Sequence, residues 1–465
     1  MSKPENGFKW RSQSVFVVIT AGATLSLNDI LTFPVMAGEN GGGAFLLLYI
    51  LFLLVLGLPL MMAELMLGRL LPGDPAACFR TLAEQFKASP YWKLVGLSSM
   101  LAAFLIIATL CVLGGWAFAY FFKSMFGAFS GASIEAANTL FDEFLLDGER
   151  MALWHTLFVF LLVTICAQPV RLGLQRVTLV LVPLMVFLLA GSLILAFYSS
   201  EFGNSVRFLL YADFAAIDSK TPVLALQRAF YTLVPAVGIM IAYGRYLPTG
   251  LSLGYSAGLV IAIDLLFSII TGLTINALIL SAGHQPGLDN QFAFRILPVV
   301  FAEFESGRIF GSMFFLLLTL AALTTTVALM ESPLRCLQRK FQISRLKAAF
   351  LLGIGVWWFG VGVILAYSLW HGEGFTVALF FSDEAIRLVN NAGFHDVLIF
   401  LSNHLIQPLV ALFICLFVAW IIPREVSHRE LALAGKYWFE IWNYLIRYIT
   451  PVLLLIVILA SLGVI

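Results

Sequence analysis

Residues 21–45 read AGATLSLNDILTFPVMAGENGGGAF, inside an apolar run that begins near Val15. A segment apolar enough to cross a bilayer has no ordinary use for Gly22, Asn28, Asp29 and Pro34 in its middle, because polar groups left unpaired in hydrocarbon cost several kcal/mol. Such an interruption either lines a cavity and binds something or is a proline or glycine kink of purely structural purpose.

The rest of the chain makes the membrane reading general. Of its 465 residues 61% are hydrophobic, 14% aromatic and only 11% charged, and the mean hydropathy is +0.97. A spanning helix needs roughly 20 apolar residues, so the chain holds about ten to a dozen of them and no water-soluble domain. A net charge of +1 and the lack of a Lys/Arg-rich run argue against a nucleic-acid partner. The cysteines at 78, 111, 166, 336 and 415 have no paired spacing and read as free packing residues. Residues 1–13 carry no cleavable signal pattern, so the first span is expected to stay.

Apolar spans fall at about 14–36, 43–68, 94–127, 152–169, 176–198, 224–249, 253–281, 307–337, 348–370, 396–421 and 437–465, eleven in all. Lys3, Lys9 and Arg11 precede the first, and alternate loops carry Arg69, Arg80, Arg171, Arg245, Arg345 and Arg424, whereas the opposite loops carry Asp142, Glu149 and Asp213. The positive-inside rule then places the N-terminus in the cytoplasm and Ile465 outside. The outer segments 282–306 and 371–395 mix aromatic and turn residues and are candidate lids. A second interruption, TLVPAVG at 232–238, removes a backbone donor at Pro235. It lies five spans after the first, and broken helices at matching places in two halves point to an inverted-repeat transporter. The halves would be 14–198 and 224–421, with 437–465 an additional helix.

Taken in order, several motifs resemble the neurotransmitter:sodium symporter family, whose fold is that of the bacterial leucine transporter. They are Trp10 followed by FPVMAGENGGGAFLLLYILFLLVLGLPLMMAELMLGR ending at Arg69, GGWAFAY at 114–120, QPVRLGLQRV at 168–177, AFYTLVPAVGIMIAYGRY at 229–246, DLLFSIITG at 264–272, LAALTTTVALMES at 320–332 and FLSNHLIQPLVALFICLFVAW at 400–420. The resemblance covers essentially the whole chain. It implies an all-α polytopic protein with a five-plus-five inverted repeat and broken helices 1 and 6, working as a sodium-coupled symporter of a small organic solute, an amino acid or amino-acid-like amine. A monomer or weak homodimer in the lipid bilayer is the expected assembly.

The resemblance also implies a residue map. A second sodium site matches Gly22, Leu25, Ala321, Thr324 and Thr325; helix unwinding there frees the carbonyls a hard cation needs, unless the threonines simply bond back to the preceding turn. A first sodium site matches Thr24, Asp29, Thr232 and Asp264. The substrate pocket matches Ala23, Thr24, Ser26, Asn28, Ile106, Leu110, Tyr231, Thr232, Val234, Val237, Thr325 and Leu329. Two departures stand out. Most members have asparagine where Asp29 stands, so two carboxylates face one site, and a charge at the bilayer centre costs about 2.5 kcal/mol or more. Either a cation sits between them, or one is protonated, or they do not meet. The tyrosine that usually binds the substrate carboxylate matches Leu110, which favours an amine, a small neutral solute, or a carboxylate bound differently.

The gates also differ: the outer pair matches Thr32 and Ile399, and the inner pair matches Gly7 and Arg339. Arg228 reads either as a replacement partner for Asp29 or as an arginine snorkelling to the outer interface, and Arg245 is a candidate for inner closure. Glu64 and Glu331 read as hydrogen-bonded structural carboxyls or as proton carriers. His371, His395 and His404 lack metal spacing, and no catalytic motif suggests an enzyme. A proton-coupled transporter using Asp29 or Asp264, and a non-transporting sensor or accessory protein with the same fold, are the competing functions.

Overall fold

The computed structural model describes residues 9–464 except 11, 72, 249, 285–291, 305, 371–373, 382–383 and 432–435. Gly7, His371 and the side chain of Asn28 therefore lie outside the described residues, as do parts of both outer segments.

Nine unbroken helices among the described residues are long and apolar enough to cross a bilayer: Gly43–Leu70, Pro90–Met125, Gly148–Ala167, Arg171–Phe197, Leu253–Ser281, Gly307–Phe341, Arg345–Tyr367, Phe394–Ile421 and Tyr437–Ser461. These are spans 2 to 5 and 7 to 11. The first and sixth spans are broken, as the sequence predicts. The first runs Gln13–Thr24, stops at Leu25 and Ser26, and resumes as Leu27–Leu31 and Phe33–Glu39. The sixth runs Thr221–Thr232 and resumes only at Ile239–Gly244. The chain is thus an all-α integral membrane protein apart from one antiparallel hairpin, Phe375–Phe381 with Glu384–Ala392, within the second outer segment.

Span 8 is almost wholly buried and packs along span 3, whereas span 11 leaves most of its surface to lipid. Glycine sets two close approaches that position the broken helices. A Cβ on Gly22 would come within 2.5 Å of Val182 and 2.8 Å of Thr178, so its place in the opening stretch lets span 5 lie directly against span 1. Gly68 and Gly244 do the same reciprocally for span 2 and the second half of span 6, where a Cβ would meet backbone oxygens of Ile241 at 1.9 Å and Leu65 at 2.2 Å.

The gap in span 6 is held open by side chains from its neighbours. Val234, Ala236 and Gly238 have φ of 46°, 61° and 80°, and the two non-glycine residues cost roughly 1 kcal/mol or more each. The Glu64 carboxyl of span 2 accepts the Ala236 N–H at 2.8 Å, and the Gln407 amide of span 10 donates to the Pro235 carbonyl at 2.9 Å. Both bonds satisfy backbone groups that no helix serves. Glu64→Leu should therefore cost about 1–3 kcal/mol by orphaning the Ala236 N–H, whereas Glu64→Gln keeps an acceptor and should melt closer to the parent. Equal melting temperatures for the two variants would contradict this.

The described part of segment 282–306 packs onto the helices at Phe294 and Arg295. Phe294 is buried against Trp116, Tyr120 and Phe141, with ring centroids 5.8, 5.2 and 5.8 Å away, and Arg295 reaches Asp142 at 2.7 Å.

Candidate functional site

At the first break, Asp29 redirects the backbone. In an unbroken helix the Ser26 N–H would bond the Gly22 carbonyl. Here it donates to Asp29 Oδ2 at 2.8 Å, the Ser26 hydroxyl donates to the same oxygen at 2.7 Å, and the Asp29 N–H turns back to the Ser26 carbonyl at 3.1 Å. This is a Ser-x-x-Asp capping arrangement, and it starts a new short helix at Leu27. The carbonyls of Gly22 and Leu25 consequently lose their helical donors.

The Leu25 oxygen faces span 8. The Thr325 hydroxyl donates to the Leu25 carbonyl at 3.3 Å, which joins two residues 300 positions apart. Thr324 bonds back to its own helix, at 3.0 Å to Leu320 and 3.2 Å to Ala321. The two alternatives for these threonines divide between them: one hydroxyl reaches across and the other turns back. All of Gly22, Leu25, Ala321, Thr324 and Thr325 are buried. Carbonyl and hydroxyl oxygens are the donors that a hard cation takes.

Asp29 itself is fully buried and already saturated. Its Oδ1 is bonded by Arg228 and accepts the Thr232 hydroxyl at 2.7 Å, and Thr232 in turn accepts from Tyr49 at 3.1 Å. Arg228 does not snorkel. It is buried, and its guanidinium lies 5.3 Å from the centroid of the Phe33 ring. The pair ties the Leu27–Leu31 piece of span 1 to the first half of span 6, Thr221–Thr232.

Asp264 of span 7 stands apart. It is fully buried, and neither oxygen has a hydrogen-bond partner among the described residues. Thr24 is its polar neighbour, and Asp29 and Arg228 lie within electrostatic range. The Ser268 hydroxyl, one turn along the same helix, is also unpartnered. The two carboxylates therefore differ: one carries a resident cation and the other has none.

The expected pocket residues are mostly apolar, and all that are described are buried or partly buried. Ala23, Val234, Val237 and Leu329 are buried, and Ile106 and Leu110 are partly buried on span 3. Ser26 and Thr232 have their hydroxyls committed to Asp29. The Tyr231 hydroxyl donates to the Asn403 carbonyl at 3.1 Å and lies 3.2 Å from Ser461 Oγ, so it is engaged with spans 10 and 11. Sequence reasoning missed Tyr49, Asn403 and Ser461, which carry no local signal. It also missed the capping role of Ser26 and Asp29, for which the Ser-x-x-Asp spacing before a helix was a legible signal.

The end of the bundle that carries the N-terminus is sealed by contacts other than those expected. Arg245 meets no carboxylate among the described residues; its carbonyl accepts Lys9 Nζ at 2.8 Å and its guanidinium lies over the Tyr246 ring. Trp10 is buried with edge contacts to Tyr243 and Tyr246. The closing charge is Glu331, 1% exposed. It accepts from Tyr246 at 2.9 Å, Arg335 at 2.5 Å and Arg345 at 2.7 Å, while Arg345 also holds the carbonyls of Cys166 and Gln168 at the end of span 4. Arg339 pairs with Asp74 at 2.5 Å.

Known proteins share this architecture. The profile of the Sodium:neurotransmitter symporter family matches residues 8–139. An uncharacterized sodium-dependent transporter of Bacillus subtilis, YhdH, is 29% identical over 98% of this chain and 98% of its own length. A second uncharacterized sodium-dependent transporter, from Haemophilus influenzae, is 27% identical over 97% of this chain and 98% of its own. The crystal structure of MhsT in complex with L-phenylalanine superposes with a TM-score of 0.84, at 30% identity over 98% of this chain and all of that one. With two helices broken at matching places and the likeness running from end to end, the chain belongs to the sodium:neurotransmitter symporter family.

Proposed function

We propose that the chain is a sodium-coupled symporter that moves a small organic solute, an amino acid or amine of similar size, by alternating access. The observation that carries this reading is the Leu25 carbonyl, at the break in span 1, facing the Thr325 hydroxyl of the unbroken span 8 at 3.3 Å. Sodium at Gly22, Leu25, Ala321, Thr324 and Thr325 ties span 1 to span 8, and the solute occupies the apolar gap between spans 1, 3, 6 and 8. The ion shifts the equilibrium between outward-facing and inward-facing states only by how much better it binds one of them, typically about 1–3 kcal/mol of coupling. Spans 1–5 and 6–10 act as the inverted halves (14–198 and 224–421), and 437–465 is peripheral. The N-terminus faces the cytoplasm, where the Glu331 cluster closes the inner side.

A relative that binds L-phenylalanine and a human sodium- and chloride-dependent taurine transporter, 32% identical over 122 residues, support an amino-acid-like solute. The test is uptake into vesicles holding the purified protein, screened over amino acids, amines and osmolytes with an inward sodium gradient. Uptake that ignores sodium would overturn the reading. Thr325→Val removes one hydroxyl ligand, worth about 1 kcal/mol, and should raise the sodium concentration for half-maximal uptake roughly five-fold to ten-fold. An unchanged sodium dependence would remove Thr325 from the site.

A further inference from the structure

We propose that Arg228 is a resident cation that takes Asp29 out of the first ion site, leaving Asp264 as the one carboxylate there that receives sodium. The inference rests on the sodium-coupled reading above and concerns which side chain does the ligating. Three ionisable groups, Asp29, Asp264 and Arg228, lie within electrostatic range of one another around Tyr49. With both carboxylates ionised they sum to one uncompensated negative charge, and the geometry says where it resides. Both Asp29 oxygens are occupied, by Ser26 twice on one side and by Arg228 and Thr232 on the other. Neither Asp264 oxygen is held in a well-formed hydrogen bond by a described residue, with Thr24 alone approaching as a side-chain donor, although the residue is fully buried. A buried carboxylate with no partner is unfavourable in a membrane interior, so Asp264, with Thr24 beside it and the unpartnered Ser268 hydroxyl one turn away, is the place built to take a monovalent cation.

Arg228 then has a second consequence. Its guanidinium is the nearest competitor for that cation's place, and Asp29 is what keeps it away. Asp29 is thus a positioning residue for Arg228 and a cap for the break; it is not a sodium ligand. Removing its charge should release the guanidinium onto Asp264 and expel the ion. Removing both charges together should restore the site.

The test counts sodium bound to the purified, lipid-reconstituted protein with radioactive sodium alone, without organic solute. The parent should bind two ions per chain. Asp264→Asn should bind one. Asp29→Asn, whose amide oxygen still accepts from Ser26, should also bind one, and the Asp29→Asn/Arg228→Gln double variant should return to two. Melting curves establish that each variant is folded, and the double variant guards against a result produced by misfolding of the single one. Asp29→Asn retaining two ions, or a folded double variant remaining at one, would overturn the proposal while leaving sodium coupling intact. A parent that binds no sodium would overturn this inference and the functional reading together.

Discussion

Glu331→Ala should open the N-terminal end of the bundle. The substitution leaves Arg335 and Arg345, each 11% exposed, facing one another without the carboxylate that now holds both, and it removes the acceptor of the Tyr246 hydroxyl. Breaking a buried pair by removing one partner costs about 3–5 kcal/mol, which is on the order of a hundred-fold or more in an opening equilibrium. The effect is directional because Arg345 reaches the carbonyls of Cys166 and Gln168 as well as Glu331. Once Arg345 is released, the end of span 4 loosens and the Cys166 thiol, 3% exposed in the parent, should react with a small thiol reagent far faster. Vectorial uptake should fall with it. Glu331→Gln, which keeps an acceptor for Tyr246, should lie between. Cys166 labelling in Glu331→Ala at the parent's rate would show that the cluster does not hold this end shut.

Gly68→Ala should be strongly destabilising for a single added methyl. The added carbon would stand 1.9 Å from the Ile241 oxygen and 3.0 Å from its Cα, and Gly244 faces Leu65 in the same way. Neither obstacle is a side chain that can rotate aside, so span 2 and the second half of span 6 must separate. Overpacking costs about 1–3 kcal/mol when side chains can adjust, and a backbone obstacle puts this change at or above the top of that range. Gly258→Ala is the control, because a Cβ there meets nothing within 4 Å. Matching melting temperatures for the two variants would refute the argument.

Two features of the site that the sequence suggested only as alternatives have become definite. Arg228 could be read as an outer-interface arginine or as a partner for Asp29; packing beneath Phe33 places it in the interior, where an arginine without a carboxylate would be untenable. Thr324 and Thr325 are neighbours with identical local chemistry, yet one turns back to its own helix and the other reaches span 1. Only the rotation of span 8 about its axis distinguishes them, and that rotation is set by contacts far away in sequence.

The amino-acid sequence by itself determined the medium, the number of spans and the two places where helices part, because each rests on a local property: apolar length, a proline without a donor, and polar residues where hydrocarbon forbids them unpaired. Which polar groups meet was decided only by the tertiary structure. Asp29 with Arg228, Glu331 with Arg345 and Tyr246, and Leu25 with Thr325 join distant segments. The charge of a buried carboxylate is compensated by whatever the fold carries to within hydrogen-bond reach, and no spacing along the chain encodes that distance.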